Sequence, residues 1–352
     1  MKVVPESDER GGILILAVWT LVMLSLFLAA LHFQVRGRLR FVQQTEIRDR
    51  LRDTAEAGIR FAMLQASQGD REAADSLRSR WSDSPNLFKD QEVPGGTFTV
   101  HWKEEGGKIH YGVTDEERRL NLNTVKTQKI LADLLRFGPA LGDSEAGDLA
   151  ASVFDWKDED DVLNAGGAES RYYKLLPEPY LAKNAPLDSI EELLLIKGVT
   201  PEVLIKMEPY ITLDGGSPFN INTAPAALMI AYGFSTRLAE AVMVYRAGRD
   251  RHAGTEDDQL FTTAGGVGEA LAEGAALGED EIKSVNDFAG SGVFDVKSHT
   301  FRAAVTARLD HRREALERTC VFERNGRILR CRESFRVVGT EENENKSQDE
   351  VS

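Results

Sequence analysis

The chain has 352 residues and a formal net charge of −14, with 42% hydrophobic and 28% charged residues. This length allows two or three domains, and the acidic balance argues against a protein that coats nucleic acid, whose surface would be basic. The two cysteines, Cys320 and Cys331, are too few for a disulfide scaffold or a cysteine-based zinc site. Composition therefore indicates an ordinary globular protein, apart from one apolar segment near the N-terminus.

The apolar segment runs from Ile13 to Phe33 and contains no Asp, Glu, Lys or Arg. It is long enough for one membrane-spanning helix, which needs ~20 residues. Arg10-Gly11-Gly12 stands directly before it, whereas a secretory signal peptide places its small residues after a shorter apolar run. This order resembles the type IV prepilin signal, in which a prepilin peptidase cuts after the glycine, here Gly11 or Gly12. An ordinary single-span anchor is the alternative for this segment alone.

Three arginines follow the apolar segment, at Arg36, Arg38 and Arg40. By the positive-inside rule they favour a cytoplasmic location for the rest of the chain, whereas the prepilin interpretation requires the opposite side. Apolar residues then recur at helical spacing to about Gln65, with Gly58 as a weak point. The sequence therefore predicts one unbroken helix over 13–66, apolar in its first half and amphipathic in its second.

Strand patterns flank a long helical region. They occur at 96–102 with a return over 108–113, at 293–309, and at 319–324 with 327–338. The predicted helices are 67–86, 125–137, 147–156, 189–195, 201–207, 225–231 and 237–247. The stretch 248–292 is rich in Gly, Ala, Asp and Glu, which favours a poorly ordered loop around a small helix near 269–276.

This order predicts an α+β fold: a pilin-like long N-terminal helix packed on a small antiparallel sheet, with a large, mostly helical domain inserted between strands. The predicted segments are a leader over 1–12, the helix over 13–66, a first part of the sheet domain over 67–113, the inserted domain over 114–290, C-terminal strands over 291–340, and an acidic tail without fixed structure over 341–352.

Two Asn-x-Asn-Thr motifs, at 121–124 and 220–223, each precede a helical pattern. Asn and Thr side chains accept from free amides at helix N-termini, so we interpret both motifs as helix caps. The segments 196–200 and 231–235 resemble helix-hairpin-helix units, which bind a DNA phosphate through a Gly-x-Gly turn. Thr200 and Ser235 replace the second glycine, and the chain is acidic, so nucleic acid is not an expected partner. A membrane-anchored DNA-binding protein of a DNA-uptake system is nevertheless the main alternative function.

The densest acidic cluster has five carboxylates within residues 155–161. It does not fit an EF-hand loop, which needs alternating ligands and Gly at the sixth position. A hard cation such as Ca²⁺ would still suit these candidate ligands: Asp155, Asp158, Asp160 and Asp161, with Glu169 as a further one. A solvated loop is the alternative, and the metal and its ligand set stay open. No His cluster, Ser-His pair or phosphate loop accompanies the acids, which argues against an enzyme such as a calcium-dependent hydrolase.

The Asn-Gly pair at 325–326, flanked by alternating residues, indicates a two-residue hairpin turn. A turn centred there pairs Phe322 with Leu329 and places Cys320 opposite Cys331. In this register the cysteines occupy a hydrogen-bonded site, where Cα atoms lie ~5.5 Å apart, a separation that a disulfide allows. The sequence therefore predicts a cross-strand disulfide.

The order of these motifs resembles the minor pseudopilin K family of type II secretion. The matching segments are the Arg-Gly leader with its apolar run, 115–123, 155–161, 167–173, 182–193, 197–198, 219–225 and 296–301. The resemblance implies a single-pass inner-membrane protein with a periplasmic body, and a bound calcium ion. Its implied partners are minor pseudopilins H, I and J, the major pseudopilin and the prepilin peptidase, with a secreted substrate as a further candidate. The implied function is non-enzymatic: capping or initiating the tip of the pseudopilus.

One departure from typical pilins also favours the tip. Those proteins carry a glutamate at mature position five, inside the apolar helix, where it pairs with the terminal amine of the next subunit. A carboxylate in hydrocarbon is costly without such a partner. Here position five is Leu16 or Ala17, depending on the cut. A subunit with no neighbour above it needs no such glutamate.

Overall fold

The computed structural model describes residues 10–68, 73–103, 107–215, 218–274 and 277–337. Most of the predicted leader, over 1–9, and the predicted acidic tail, over 341–352, lie outside these described residues. The chain forms two compact units, residues 1–53 and residues 54–352.

Helix α1 comprises Arg10–Gln68 and contains no proline. Because proline is the residue that most strongly breaks a helix, the apolar segment and the polar segment behind it continue as one helix. The predicted unbroken helix is therefore confirmed. In the first unit the apolar side chains from Leu14 to Leu39 are exposed, and this stretch is long and apolar enough to cross a membrane.

The remaining elements alternate between strands and short helices. The strands are β1 (Gln91–Val93), β2 (Gly96–Lys103), β3 (Ile109–His110), β4 (Thr114–Asp115), β5 (Leu120–Asn121), β6 (Ile211–Thr212), β7 (Phe219–Asn220), β8 (Phe294–Asp295), β9 (Thr300–Leu309), β10 (Glu314–Glu323) and β11 (Ile328–Val337). The helices after α1 are α2 (Pro85–Phe88), α3 (Gln128–Phe137), α4 (Asp143–Lys157), α5 (Ser170–Tyr173), α6 (Pro201–Met207), α7 (Ala226–Ala231), α8 (Thr236–Arg246), α9 (Val267–Gly274) and α10 (Glu279–Gly290). Two 3₁₀ helices cover Ile190–Leu195 and Ala264–Gly266.

The main sheet is antiparallel, in the order β1-β2-β9-β10-β11, with β3 paired to β2 and β4 paired to β9. Alternate residues of β2 are buried, as expected for a strand with one covered face. The predicted hairpin of β2 with β3 is present, but in the described residues it joins only Trp102 and Lys103 to β3. Over most of its length β2 pairs with β9, from Gly96 to His101.

The last turns of α1, which belong to the second unit, pack on one face of this sheet. The completely buried helix residues recur every three or four positions: Ala55, Ile59, Ala62 and Ala66. A Cβ atom at Gly58 would lie 2.6 Å from Cγ1 of Val305 and 3.0 Å from Cδ2 of Phe98. Gly58 therefore allows the helix to approach the sheet closely, which outweighs its low helix propensity.

The inserted region leaves and rejoins the sheet at neighbouring positions. Asp115 of β4 pairs with Phe301 of β9, so the chain that leaves after Asp115 returns beside it at Thr300. The insert has a hydrophobic core of its own, whose members run from Leu120 to Val296 together with Ala74. The predicted α+β class with a helical domain inserted between strands is confirmed. The domain limits stay predictions.

A buried arginine joins the end of α1 to the point where the insert rejoins the sheet. Arg324, in the turn between β10 and β11, donates from Nη1 to the carbonyl of Ala66 (2.8 Å) and from Nε to the carbonyl of Ser298 (3.0 Å). Its Nη2 donates to Oδ2 of Asp75 at 2.6 Å, and Asp75 is fully buried. Charge-assisted hydrogen bonds of this kind are about twice as strong as neutral ones. The insert therefore meets the sheet at the end where α1 terminates.

The insert consists of two copies of one arrangement. Within the described residues, each copy begins with a short strand and an Asn-x-Asn-Thr turn and continues through four α-helices and one 3₁₀ helix. It ends in a strand parallel to the first, β5 with β6 and β7 with β8. In each turn the first Asn accepts from the amide of the second at 2.9 Å, Asn121 from Asn123 and Asn220 from Asn222.

A cation at the end of the second helix of each copy binds equivalent carbonyls of that turn. The bonds are Lys157 Nζ to Leu122 O (2.6 Å) and Val125 O (3.4 Å), and Arg246 Nη1 to Ile221 O (3.1 Å) and Ala224 O (2.6 Å). Our interpretation of the motifs as helix caps is wrong. The residue that caps α3 is Thr127, whose hydroxyl accepts from Ile130, and α7 follows Pro225 without a side-chain cap. The motifs organise a turn instead.

Two regions differ from the predicted elements. Between the end of α1 at Gln68 and the start of α2 at Pro85, the described residues 73–84 contain no helix. The serines there form successive turns, with the backbone amides of Ser79 and Ser82 donating to the carbonyls three residues back. The stretch 248–292 is not a poorly ordered loop, since it forms α9 and α10. Glu281 accepts from the amide of Gly278 at the start of α10, and Phe288 stacks on Phe234 with ring centres 4.8 Å apart.

Candidate functional site

The predicted acidic cluster lies at the end of α4 and in the loop that follows it. Asp155 sits in the last turn of α4 and is fully buried, while Glu169 directly precedes α5 and is 5% exposed. Asp158, Asp160 and Glu169 each offer one carboxylate oxygen, and these oxygens lie within 4.8 Å of one another. The fold therefore brings together three carboxylates that are up to eleven positions apart in sequence.

Several oxygens of this cluster are buried without a hydrogen-bond partner among the described residues. They are Oδ2 of Asp155, Oδ1 of Asp158, and both Oε1 and Oε2 of Glu169. The other oxygen of Asp155 is satisfied, since Oδ1 accepts from the backbone amide and the side-chain amide of Asn164. A buried ionised carboxylate oxygen without a donor is unfavourable, so this arrangement favours either protonation or a bound cation.

The pKa values of these carboxyl groups reflect the same lack of hydrogen-bond donors. Burial, with the charges of Asp155 and Asp158, raises the pKa of Glu169 to about 7. Burial, with the charges of Asp160 and Asp155, also raises the pKa of Asp158. A bound cation would reverse both shifts, because it stabilises the ionised carboxylates.

Two glycines allow the loop to close around Asp155. A Cβ at Gly167 would lie 2.1 Å from Oδ2 of Asp155, and one at Gly166, whose φ is +85°, would lie 2.1 Å from Oδ1 of Asp148. Nζ of Lys197 donates to the carbonyls of Gly166 (3.0 Å) and Gly167 (3.1 Å). No side chain fits at either glycine without displacing an acid.

The cluster agrees with most of the predicted ligand set. Asp158, Asp160 and Glu169 converge, and Asp155 lies beside them with one unpartnered oxygen. Asp161 is exposed and does not join the three, although its charge contributes to the raised pKa of Glu169. Carboxylate oxygens are the ligands that Ca²⁺ prefers, so the residues present fit a hard divalent cation.

The two hairpins that resemble DNA-binding units are part of the insert. Gly198 and Gly233 adopt left-handed conformations, with φ of +88° and +105°. The hydroxyls of Thr200 and Ser235, which stand at the second glycine position, accept from amides of the following helices. In the first hairpin the only cation, Lys197, is engaged by the glycine loop. These hairpins serve as packing elements within the insert.

A second pair of acids, which the sequence did not indicate, is buried where the insert leaves the sheet. Asp115 and Glu117 are 1% and 3% exposed. Oδ2 of Asp115 accepts from Oγ of Ser298 at 2.7 Å, and both oxygens of Glu117 accept from the amide of Thr300 at 3.1 Å. Burial raises the pKa of Asp115 and, with the charge of Asp115, raises the pKa of Glu117 well above its usual range.

The acids around this pair have cationic partners of their own. Glu116 lies 2.7 Å from Nη1 of Arg119 and 2.8 Å from Nε of Arg302, so its pKa is lowered despite its burial. Asp75 accepts from Arg324. Successive side chains of an extended segment point to opposite sides, which separates the side chain of Glu116 from those of Asp115 and Glu117. A run of Asp-Glu-Glu in the sequence carries no signal of this division.

The cysteines face each other as the predicted register requires, but the turn differs. The loop contains three residues between Glu323 and Arg327, with Gly326 at φ +94°, and Phe322 pairs with Ile328 instead of Leu329. A bulge beside Val321 then restores the register.

The sulfur atoms of Cys320 and Cys331 lie at bonding distance, and their Cα atoms are 4.1 Å apart. That separation is closer to the ~4.5 Å of a non-hydrogen-bonded pair than to the ~5.5 Å of the hydrogen-bonded site that we expected. The change of site follows from the three-residue turn and its bulge.

Comparisons with known proteins agree with this arrangement. A family model described as type II secretion system (T2SS), protein K, matches residues 118–214. The type II secretion system protein K of Aeromonas hydrophila is 25% identical over 93% of this chain and 98% of its own length. That of Klebsiella pneumoniae is 28% identical over 64% of this chain and 71% of its own length. The chain is therefore similar to type II secretion system protein K along nearly its whole length.

A solved structure shares the fold of this chain. It belongs to the GspK-GspI-GspJ complex of the type 2 secretion system from enterotoxigenic Escherichia coli, with a TM-score of 0.62 and 17% identity. The match covers 83% of this chain and 99% of that one. The residues matched by the family model correspond to the first of the two copies in the insert, including the acidic loop. The predicted identity as a minor pseudopilin of type II secretion is confirmed.

Proposed function

We propose that this protein is a non-enzymatic subunit that caps or initiates the tip of the pseudopilus, in contact with minor pseudopilins I and J. The position of the insert is the observation that supports this role. The insert rejoins the sheet beside Ala66, in the last turns of α1, where Arg324 and Asp75 hold the two together. A subunit that stacked beyond this end of the body would have to displace a domain of some 180 residues.

The apolar helix supports the same proposal. Leu16 and Ala17, the two candidates for mature position five, carry no charge, so this helix offers no carboxylate to the amine of a subunit above it. Placing glutamate at Leu16 would bury a carboxylate without a partner, at a cost of roughly 2.5–3.5 kcal/mol at the bilayer centre and less near the helix end. Leu16→Glu is therefore expected to be neutral or harmful to secretion, with Leu16→Gln as the uncharged control.

Position along the pseudopilus decides between a tip subunit and an ordinary one. We expect gold-labelled full-length protein at one end of each pseudopilus in electron micrographs, and binding of its body to purified pseudopilins I and J. Minor pseudopilin H and the major pseudopilin are expected below this group. Label spread evenly along the filaments would refute the tip role even if I and J bind.

Under this proposal the leader is removed by the prepilin peptidase and the body lies in the periplasm. The prepilin peptidase is expected to cut after Gly11 or Gly12, leaving the helix in the inner membrane. N-terminal sequencing of protein from cells with and without the peptidase measures this directly. An intact Met1 in cells that contain the peptidase would contradict the pseudopilin interpretation.

We further propose that the acidic loop binds Ca²⁺. The unpartnered oxygens of Asp155, Asp158 and Glu169 supply the hard oxygen ligands, and Asp160 completes the group. Calcium that binds only the folded state raises the melting temperature. We expect such a rise in metal-stripped protein, and its loss in Glu169→Gln. Glu159→Gln removes the same charge from an exposed position of the same loop, so it should keep the rise. An equal response of both variants would remove this site.

A further inference from the structure

The arginines that follow the apolar segment have no partner among the residues that the structure describes. Arg36, Arg38 and Arg40 are exposed on α1, and within the described residues none of them forms a hydrogen bond or an ion pair. The arginines farther along the same helix differ in this respect. Arg50 lies 2.6 Å from Glu46, and Arg52 lies 3.8 Å from Asp49.

Their height along the helix coincides with a lipid headgroup layer. A helix rises ~1.5 Å per residue, so these arginines lie about 4 to 11 Å beyond Phe33, the last residue of the apolar segment. The headgroup layer adds roughly 5–7 Å to each side of the hydrocarbon core. Long arginine side chains reach back toward such a layer. All three guanidinium groups can therefore contact phosphates if α1 crosses a bilayer at its apolar segment.

Their distribution around the helix favours lipid over a single protein neighbour. At about 100° per residue, Arg36 and Arg40 project only some 40° apart, while Arg38 projects toward the opposite face. A neighbouring helix covers one face of α1, whereas headgroups surround it. The nearest acid in sequence on the body side is Glu46, ~9 Å along the axis from Arg40 and already paired with Arg50.

We propose that Arg36, Arg38 and Arg40 form a collar that binds the phosphates of anionic phospholipids in the membrane leaflet facing the body. This binding sets the depth of α1 in the bilayer. In the periplasmic orientation proposed above, it also neutralises arginines that the positive-inside rule disfavours on that side. The collar requires only that α1 spans the membrane and is independent of the tip role.

The test uses the full-length chain, purified in a neutral detergent and exposed to equal amounts of phosphatidylglycerol and phosphatidylcholine. Retained lipids are counted by native mass spectrometry. Wild-type protein should prefer phosphatidylglycerol. Each arginine near an anionic surface contributes about fivefold, so the triple variant Arg36→Gln, Arg38→Gln and Arg40→Gln should lose up to about 100-fold of the preference.

A matched control lies on the same helix. The triple variant Arg48→Gln, Arg50→Gln and Arg52→Gln removes the same charge ~18 Å farther along and should keep the preference. Equal melting temperatures of the bodies show that both variants fold. No preference in the wild type would overturn the proposal, as would an equal loss in both variants or displacement of the lipid by inorganic phosphate. Loss of a co-purifying pseudopilin with unchanged lipid preference would assign the arginines to a protein neighbour instead.

Discussion

The buried pair Asp115 and Glu117 predicts an unusual dependence of stability on pH. The pKa of Glu117 is raised well above its usual range, so the folded protein keeps a proton there that the unfolded chain loses above about pH 4.3. The folded state then binds the extra proton, and stability falls as pH rises toward the folded pKa. Glu117→Gln removes this titration but leaves one oxygen to accept from the amide of Thr300.

The size of the effect follows from one extra proton. Each pH unit changes the free energy of unfolding by about 1.4 kcal/mol for one proton. Over the pH range between the unfolded pKa and the raised folded pKa, wild type should therefore lose stability relative to Glu117→Gln at about this rate. At roughly 2 °C per kcal/mol for a body of this size, the difference in melting temperature should change by about 3 °C per pH unit over that range.

The assay is thermal unfolding of the soluble region, from about Arg40, across this pH range in wild type and variant. Glu92→Gln, at an exposed position of β1, serves as the control because it should run parallel to wild type. A constant offset between wild type and Glu117→Gln at every pH would show that Glu117 does not hold a proton, and the reasoning would fail. The charged neighbours Asp75, Glu116, Arg302 and Arg324 are present in both proteins, so the two differ only at residue 117.

Other features predict further outcomes. Gly58→Ala should lower the free energy of unfolding by about 1–3 kcal/mol, measured by urea titration, because its Cβ would meet the side chain of Val305; a stabilised variant would contradict the close approach. Calcium affinity, measured by calorimetry in metal-stripped protein, should rise with pH through about pH 7, since Ca²⁺ displaces the proton of Glu169; a flat profile would exclude Glu169 as a ligand. Alkylation of unreduced periplasmic protein should leave Cys320 and Cys331 unmodified by mass, and replacing both by Ser should cost about 2–3 kcal/mol; two modified thiols would refute the disulfide.

The sequence predicted elements well where a local signal is strong. Helix α6 has the predicted limits, because Thr200 caps it by accepting from Val203 and Pro201 opens it. Helix α10 was missed, since its stretch is rich in Gly, Ala and acids and buries only Val285. Its stability comes from contacts with distant residues such as Phe234, and such contacts leave no local pattern in the sequence of the helix.

The candidate site was likewise predicted only in part from the sequence. The acidic run marked the loop, but only the fold shows which carboxylates converge and which oxygens lack donors. Asp161, one residue from the ligand candidate Asp160, is exposed to solvent. The paired acids Asp115 and Glu117 were invisible in sequence, because their partners Ser298 and Thr300 lie some 180 positions away.

The two copies in the insert have a consequence for how such a domain grows. Each copy starts and ends on adjacent parallel strands, and the whole insert starts and ends on the adjacent strands β4 and β9. A segment whose two ends are neighbours can be inserted or deleted without moving the residues on either side of it. Duplication of one copy would therefore enlarge the insert by about 75–95 residues while the sheet and α1 keep their geometry.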